Sequence, residues 1–154
     1  MEPKRRKKLR ETFAFALMFA VIGATHWLHG QAEWEPAAVY EALTREGDLR
    51  PGAAGTLLLF VSSGCQACER AVRDFGRVAG GRVDRIVVSR ESRGVPIGAR
   101  LHRDVDGRLR HLVSHAGGPL YLLYDGQGQF LEARRGRKRP SVLTKWVAGW
   151  LEAT

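Results

Sequence analysis

The stretch Gly55-Thr56-Leu57-Leu58-Leu59-Phe60-Val61-Ser62-Ser63-Gly64-Cys65-Gln66-Ala67-Cys68-Glu69-Arg70-Ala71-Val72-Arg73-Asp74-Phe75 decides how the rest of the chain is read. Leu57–Val61 is a short apolar run closed by Ser62, Ser63 and Gly64, which predicts a buried strand. Beyond the turn the period changes. Cys68, Ala71, Val72, Phe75, Val78 and Ala79 recur at helical spacing, and Glu69, Arg70, Arg73, Asp74 and Arg77 fill the other face. Gly80 and Gly81 are the expected stop. The two cysteines of the chain therefore fall where a strand hands over to a helix N-terminus.

That position has chemical consequences. Unpaired amide groups and the positive end of the helix dipole favour an anion there, which lowers a thiol pKa. Cys65 comes first, at the open end of the apolar stripe, and is expected to be the exposed nucleophile. Cys68 lies one turn deeper, placed to attack a mixed disulfide formed at Cys65. With two residues between them, the thiols can close a small ring within one helical turn.

Outward from this stretch, charge is uneven. The chain has a formal charge of +9, and residues 1–11 hold six Lys/Arg against Glu2 and Glu11, a net +4. The remaining residues carry 19 basic and 14 acidic side chains, a net +5. Much of the excess thus belongs to one short run, and a nucleic-acid partner is not expected. From Thr12 to Ala32 there is no Asp, Glu, Lys or Arg. At 1.5 Å per residue, this uncharged stretch covers roughly the 30 Å hydrocarbon thickness of a bilayer. A basic flank stays cytoplasmic, so the C-terminal part is expected on the far side of the membrane. The alternatives are a cleaved signal peptide, with Gly30 and Ala32 as small residues near the cut, and a buried globular helix. The two leading readings both export the domain.

Glu33–Gly52 predicts an amphipathic helix around Pro36–Glu46, serving as linker or as first helix, and then a turn at Arg50-Pro51-Gly52. Val83–Ser89 predicts a second strand, parallel to the first through a right-handed crossover. Glu91–Gly118 is the least regular part, with a short helix expected around Arg108–His115. His111 and His115, four apart, could share a helical face and bind metal, although their distance from the cysteines is far from a zinc-finger spacing. A c-type haem is excluded because Glu69, not histidine, follows Cys68. Pro119–Tyr124 predicts a strand, Asp125–Gly128 a hairpin turn, and Gln129–Ala133 the returning strand. A basic run (Arg134, Arg135, Arg137, Lys138, Arg139) precedes a final helix with Val142, Leu143, Trp146, Val147, Trp150 and Leu151 on one stripe. That run could be solvated surface, a contact for anionic headgroups, or a cationic neighbour of the cysteines.

This order of elements resembles the thioredoxin family over about Ala54 to Leu151. The resemblance rests on Cys65-Gln66-Ala67-Cys68, on Gly118-Pro119 entering the third strand, on Asp125–Gly128, and on Gly136 before the last helix. It implies an α/β thioredoxin-like fold, a central mixed sheet of about four strands flanked by helices, behind one N-terminal transmembrane helix. It also implies that Pro119 is a cis proline beside the site and that Gly118, with Gly64 and Pro119, binds substrate; an ordinary trans turn at Gly-Gly-Pro is the alternative. The sequence departs from the family pattern in three places. Ser63-Gly64 precede the first cysteine, Gln66-Ala67 lie between the pair, and Leu59 stands where some members carry a buried acid.

The expected organisation is a basic cytoplasmic tail at 1–11, a membrane anchor or signal peptide at 12–32, a linker or first helix at 33–53, and the thioredoxin-like domain at 54–154. The expected function is thiol–disulfide exchange with protein thiols and disulfides of a bacterial envelope, Cys65 attacking and Cys68 resolving. The direction is expected to be reductive, by resemblance to tethered envelope members. The Arg-, Ala- and Gly-rich composition is in keeping with a bacterial source. An exported or membrane redox partner recharges the pair, and no metal or cofactor beyond the Cys65–Cys68 disulfide is expected. The chain is placed at the inner membrane, single-pass, its domain on the periplasmic side. The alternative is a non-catalytic module whose cysteines form a structural disulfide or hold copper or zinc.

Overall fold

β1 (Gly55–Phe60) is buried along its whole length because it is the middle strand of the sheet and is covered on both faces. In the computed structural model the described residues are 34–79, 81–115 and 117–152. The basic tail, the candidate anchor and Gly80 lie outside them. Among the described residues, no helix is long and apolar enough to cross a membrane.

Around β1 the elements are α1 (Pro36–Arg45), α2 (Gln66–Phe75), β2 (Val83–Ser89), β3 (Arg100–Arg103), α3 (Arg108–Leu112), β4 (Leu120–Asp125), β5 (Phe130–Arg135) and α4 (Pro140–Leu151). The strand order is β3-β2-β1-β4-β5. β1, β2 and β3 are parallel, while β4 runs antiparallel to β1 and β5 antiparallel to β4. Strand alternation splits the core into two. Leu57, Leu59 and Val61 face Cys68, Ala71, Val72 and Phe75 of α2, with Leu143, Trp146 and Val147 of α4. Leu58 and Phe60 face the other way, onto Val39, Ala42 and Leu43 of α1 and Leu109 of α3. The segment read as linker or first helix therefore supplies core, and the Tyr124 hydroxyl donates to the Pro36 carbonyl at 2.7 Å.

Two expectations are corrected. The sheet has five strands rather than about four, because β3 was hidden in the irregular stretch. Arg-Leu-His-Arg shows no apolar alternation, yet Leu101 packs on one core and His102 is buried on the other side. The cysteine helix also stops at Phe75, short of Gly80-Gly81. Arg85 of β2 reaches its end, Nη1 donating to the carbonyls of Phe75, Gly76 and Val78 at 3.3, 3.1 and 3.0 Å. A cation there satisfies free carbonyls and complements the helix dipole. Pro96 closes the same place, since a Cβ on Gly76 would lie 2.4 Å from its ring.

The last helix is fastened by a carboxylate. Glu132 Oε2 accepts from Trp146 Nε1 at 2.6 Å and Trp150 Nε1 at 3.0 Å, while Oε1 accepts from Arg134 Nε at 3.1 Å. Arg134 also lies over the Trp146 ring at 4.6 Å. Burial pushes the Glu132 carboxyl up, but the two indoles and Arg134 outweigh it and hold it below the ordinary glutamate value. Replacing Glu132 with Ala should cost about 1–3 kcal/mol, because the buried Trp146 N–H loses its acceptor. A depressed folded pKa contributes stability that is present above the unfolded value of about 4.3 and is lost as pH falls through the folded one. Denaturant titrations of wild type and Glu132→Ala should therefore differ most near neutrality, and the gap should narrow as pH falls below the unfolded carboxyl value of about 4.3.

Candidate active site

Cys65 is the N-cap of α2, in extended backbone, and its Sγ accepts from the Cys68 N–H at 3.1 Å. Its carbonyl accepts from the N–H groups of Cys68 and Glu69 at 3.0 and 3.1 Å. The two sulfurs are joined as a disulfide, with the Cα atoms 5.2 Å apart. Cys65 is half-buried and packs at the edge of the core, while Cys68 is fully buried beneath it. Gly64, at φ 66°, turns the chain from β1 into the helix, and Ser63, Gly64, Gln66 and Ala67 are all exposed. Cys65 is thus the more accessible sulfur of the two.

The proline loop reaches the same end of the sheet. Phe60 of β1 pairs with Leu120, so Pro119 stands beside the exit of β1 toward Cys65. Its peptide bond is trans, since no described peptide bond is cis. The resemblance to a cis-proline loop fails here because Gly117 and Gly118, at φ 115° and 72°, make the reversal themselves. Of the three expected substrate-binding residues, Gly118 and Pro119 have carbonyls that already have donors. His115 Nε2 lies 2.6 Å from the Gly118 oxygen, and the Gly136 N–H donates to Pro119 at 2.8 Å.

His111 and His115, which could have offered a metal pair on one helical face, do not share one. α3 ends at Leu112, so His111 is exposed on its last turn while His115 lies beyond it, its ring 5.9 Å from Phe60. Among the described residues one group, Glu46, Asp48 and His102, brings metal-capable atoms within 4.8 Å of one another. His102 Nδ1 sits 2.5 Å from Asp48 and Arg108 pairs with Glu46, so the group reads as an ion-pair network fastening the end of α1 to β3.

The sequence reading missed Arg110. Its guanidinium donates to the Val61 carbonyl and, at 3.2 Å, to Ser62 Oγ, fixing the residues that lead into the cysteine turn. Asp104, itself buried, positions it by accepting from the Leu109 and Arg110 N–H groups, each at 3.0 Å. Asp104 before Gly107 was the available signal, an acceptor ahead of a short helix. Burial lowers the Arg110 pKa, Asp104 opposes that shift, and Arg90 and Arg93 add to it. The basic run before α4 is partly tied down. Arg137 Nε and Nη2 hold Asp74 of the cysteine helix at 3.0 and 2.8 Å, and Arg135 lies over Trp34 at 5.6 Å.

Burial also pushes the His115 pKa down; the Gly118 carbonyl opposes this, and Arg110 and Arg135 reinforce it. A histidine whose folded pKa lies below its unfolded value of about 6.5 contributes stability above that value and loses it as pH falls. Melting temperatures at pH 7 and pH 5 should therefore drop further for wild type than for His115→Gln. An equal drop would place no titration at this residue.

No protein-family model matches the chain, and no curated protein does. Solved structures do. DsbF of MTB, solved as mixed oxidised and reduced forms, is 22% identical, with 64% of this chain and 81% of that chain covered at a TM-score of 0.54. A protein assigned as thiol:disulfide interchange protein DsbE, from Chlorobium tepidum, is 18% identical, with coverages of 66% and 82% and a TM-score of 0.55. StoA from Bacillus subtilis is also 18% identical, with coverages of 63% and 84% and a TM-score of 0.50. At these identities the likeness carries the fold alone, and that fold is thioredoxin-like: a five-stranded mixed sheet flanked by helices.

Proposed function

We propose that this protein is a thiol–disulfide oxidoreductase that reduces disulfides in exported proteins. The observation that carries the reading is the Cys65–Cys68 disulfide at the start of α2, its outer sulfur half-buried and its inner one enclosed. In the reduced protein the Cys65 thiolate attacks one sulfur of a substrate disulfide. A Cys65–substrate bond forms, and the other substrate sulfur leaves as a thiolate and takes up a proton. Cys68, losing its proton, then attacks Cys65 Sγ. The Cys65–Cys68 bond closes, and the second substrate thiol departs. Two electrons pass from protein to substrate, and an external dithiol must restore the pair. The chemistry uses no metal or further cofactor.

The setting follows from the N-terminal sequence. Uncharged residues 12–32 behind a basic flank support a single-pass anchor in a bacterial inner membrane, with the domain and its thiol partners on the periplasmic side. Cleavage of the same segment would export the domain without the tether.

A trapping experiment tests the reading. Cys68→Ser should accumulate mixed disulfides between Cys65 and envelope proteins, on the order of tenfold more than wild type, because the resolving thiol is gone. Cys65→Ser should accumulate few. If neither variant forms adducts, and the reduced pair instead retains stoichiometric copper(I) or zinc, the protein is a metal-binding module.

A further inference from the structure

The end of the sheet that carries Cys65 also collects unpaired cations. The topology brings them there. β1 and β2 are parallel and in register, so Ser62–Gly64 and Arg90–Gly94 leave the sheet side by side, the Val61 N–H donating to Val88 at 3.1 Å. β5 finishes opposite the start of β4, Leu120 pairing with Arg135, which puts Arg135 at the same end. Arg110 reaches in from α3 and holds Val61 and Ser62 directly. Arg110 lies within electrostatic reach of Arg90 and Arg93 but also of Asp104 and Glu91, and His115 within reach of Arg110 and Arg135, so the rim these loops make carries acids as well as cations.

Ion pairing divides the arginines. Arg137 is neutralised by Asp74, Arg134 by Glu132 and Arg108 by Glu46. Arg90, Arg93, Arg110 and Arg135 make no ion pair among the described residues. The acids nearby are few. Asp104 is buried and accepts from α3, Asp106 caps Arg108, and Glu91 and Glu69 are exposed. Cations gathered in excess over the nearby acids favour an anionic partner at the same place.

We propose that this rim, Arg90, Arg93, Arg110 and Arg135, selects substrates whose disulfide is flanked by carboxylates, that is, acidic peptide segments. The proposal rests on the oxidoreductase reading for its chemistry but not for its binding. Carboxylates docked on the rim bring the substrate sulfur to Cys65, and the cations also stabilise the thiolate released by exchange. The rest of the basic run before α4 plays the smaller part, because Arg134 and Arg137 are already paired.

Two peptides test it, identical except that the cysteines are flanked by Glu in one and by Lys in the other. Binding is read first, by fluorescence anisotropy, with serine in place of each cysteine so that no chemistry is involved. The full chain should bind the acidic peptide about tenfold more tightly than the basic one at about 20 mM salt, and the preference should fade by about 500 mM, where screening is short. Arg90→Gln with Arg93→Gln should remove most of the preference, and Arg90→Lys with Arg93→Lys should keep it. Exchange is read second, with the cysteine forms of the peptides and the reduced full chain, and should show the same preference. Charge-selective binding without exchange upholds the rim and sinks the oxidoreductase reading. Exchange that is indifferent to peptide charge and salt, with no selective binding, overturns the rim and leaves the chemistry standing.

Discussion

The handover from β1 to α2 at Cys65 is the constraint on which the site depends. A strand buried on both faces cannot shift along its axis without exposing leucines, so its exit point is fixed. The helix that follows must start there, and the residue at its start is Cys65. Its sulfur sits among the N–H groups of the helix start and accepts from that of Cys68, which the Cys65 carbonyl also holds. The same groups would stabilise a thiolate once the disulfide is opened. Placement of one sulfur at a helix N-cap and the other in the core gives the pair unequal access.

Several contacts keep that helix in place from both ends. Arg110 holds the chain before the turn, Arg85 takes the carbonyls at the far end, and Arg137 pairs with Asp74 on its flank. Each of these arginines comes from a different element: α3, β2 and the loop before α4. A surface ion pair contributes little by itself, usually under about 1 kcal/mol. Their combined effect here is geometric, since three separated segments all report to α2. Glu132 does the equivalent for α4, collecting both tryptophans and Arg134 on one carboxylate.

Much of this was legible in the sequence where apolar period and turn chemistry agree. The strand at Leu57–Val61, the cysteine helix, Val83–Ser89 and the Asp125–Gly128 hairpin were all readable from local pattern. β3 was not, because an edge strand written Arg-Leu-His-Arg derives its place from pairing with β2 rather than from alternation. The helix end at Phe75 depended on Arg85, ten residues away, which no local rule registers. For the proline loop the resemblance implied cis and the Gly-Gly-Pro sequence left an ordinary trans turn open; Gly117 and Gly118 make the trans turn. Arg110 escaped notice because its importance lies in where α3 docks. The segments 1–11 and 12–32 lie outside the described residues, and their membrane role remains a proposal from charge and length.

The central claim is that helix-start placement makes Cys65 the acidic, accessible thiol and Cys68 the enclosed one. The direct measurement is alkylation of the reduced full chain across pH, with each cysteine followed by mass spectrometry. Cys65 should react first and titrate below the ordinary thiol value of about 8.5, and Cys68 should react slowly with no such midpoint. Faster modification of Cys68, or a Cys65 midpoint at or above about 8.5, would contradict the account.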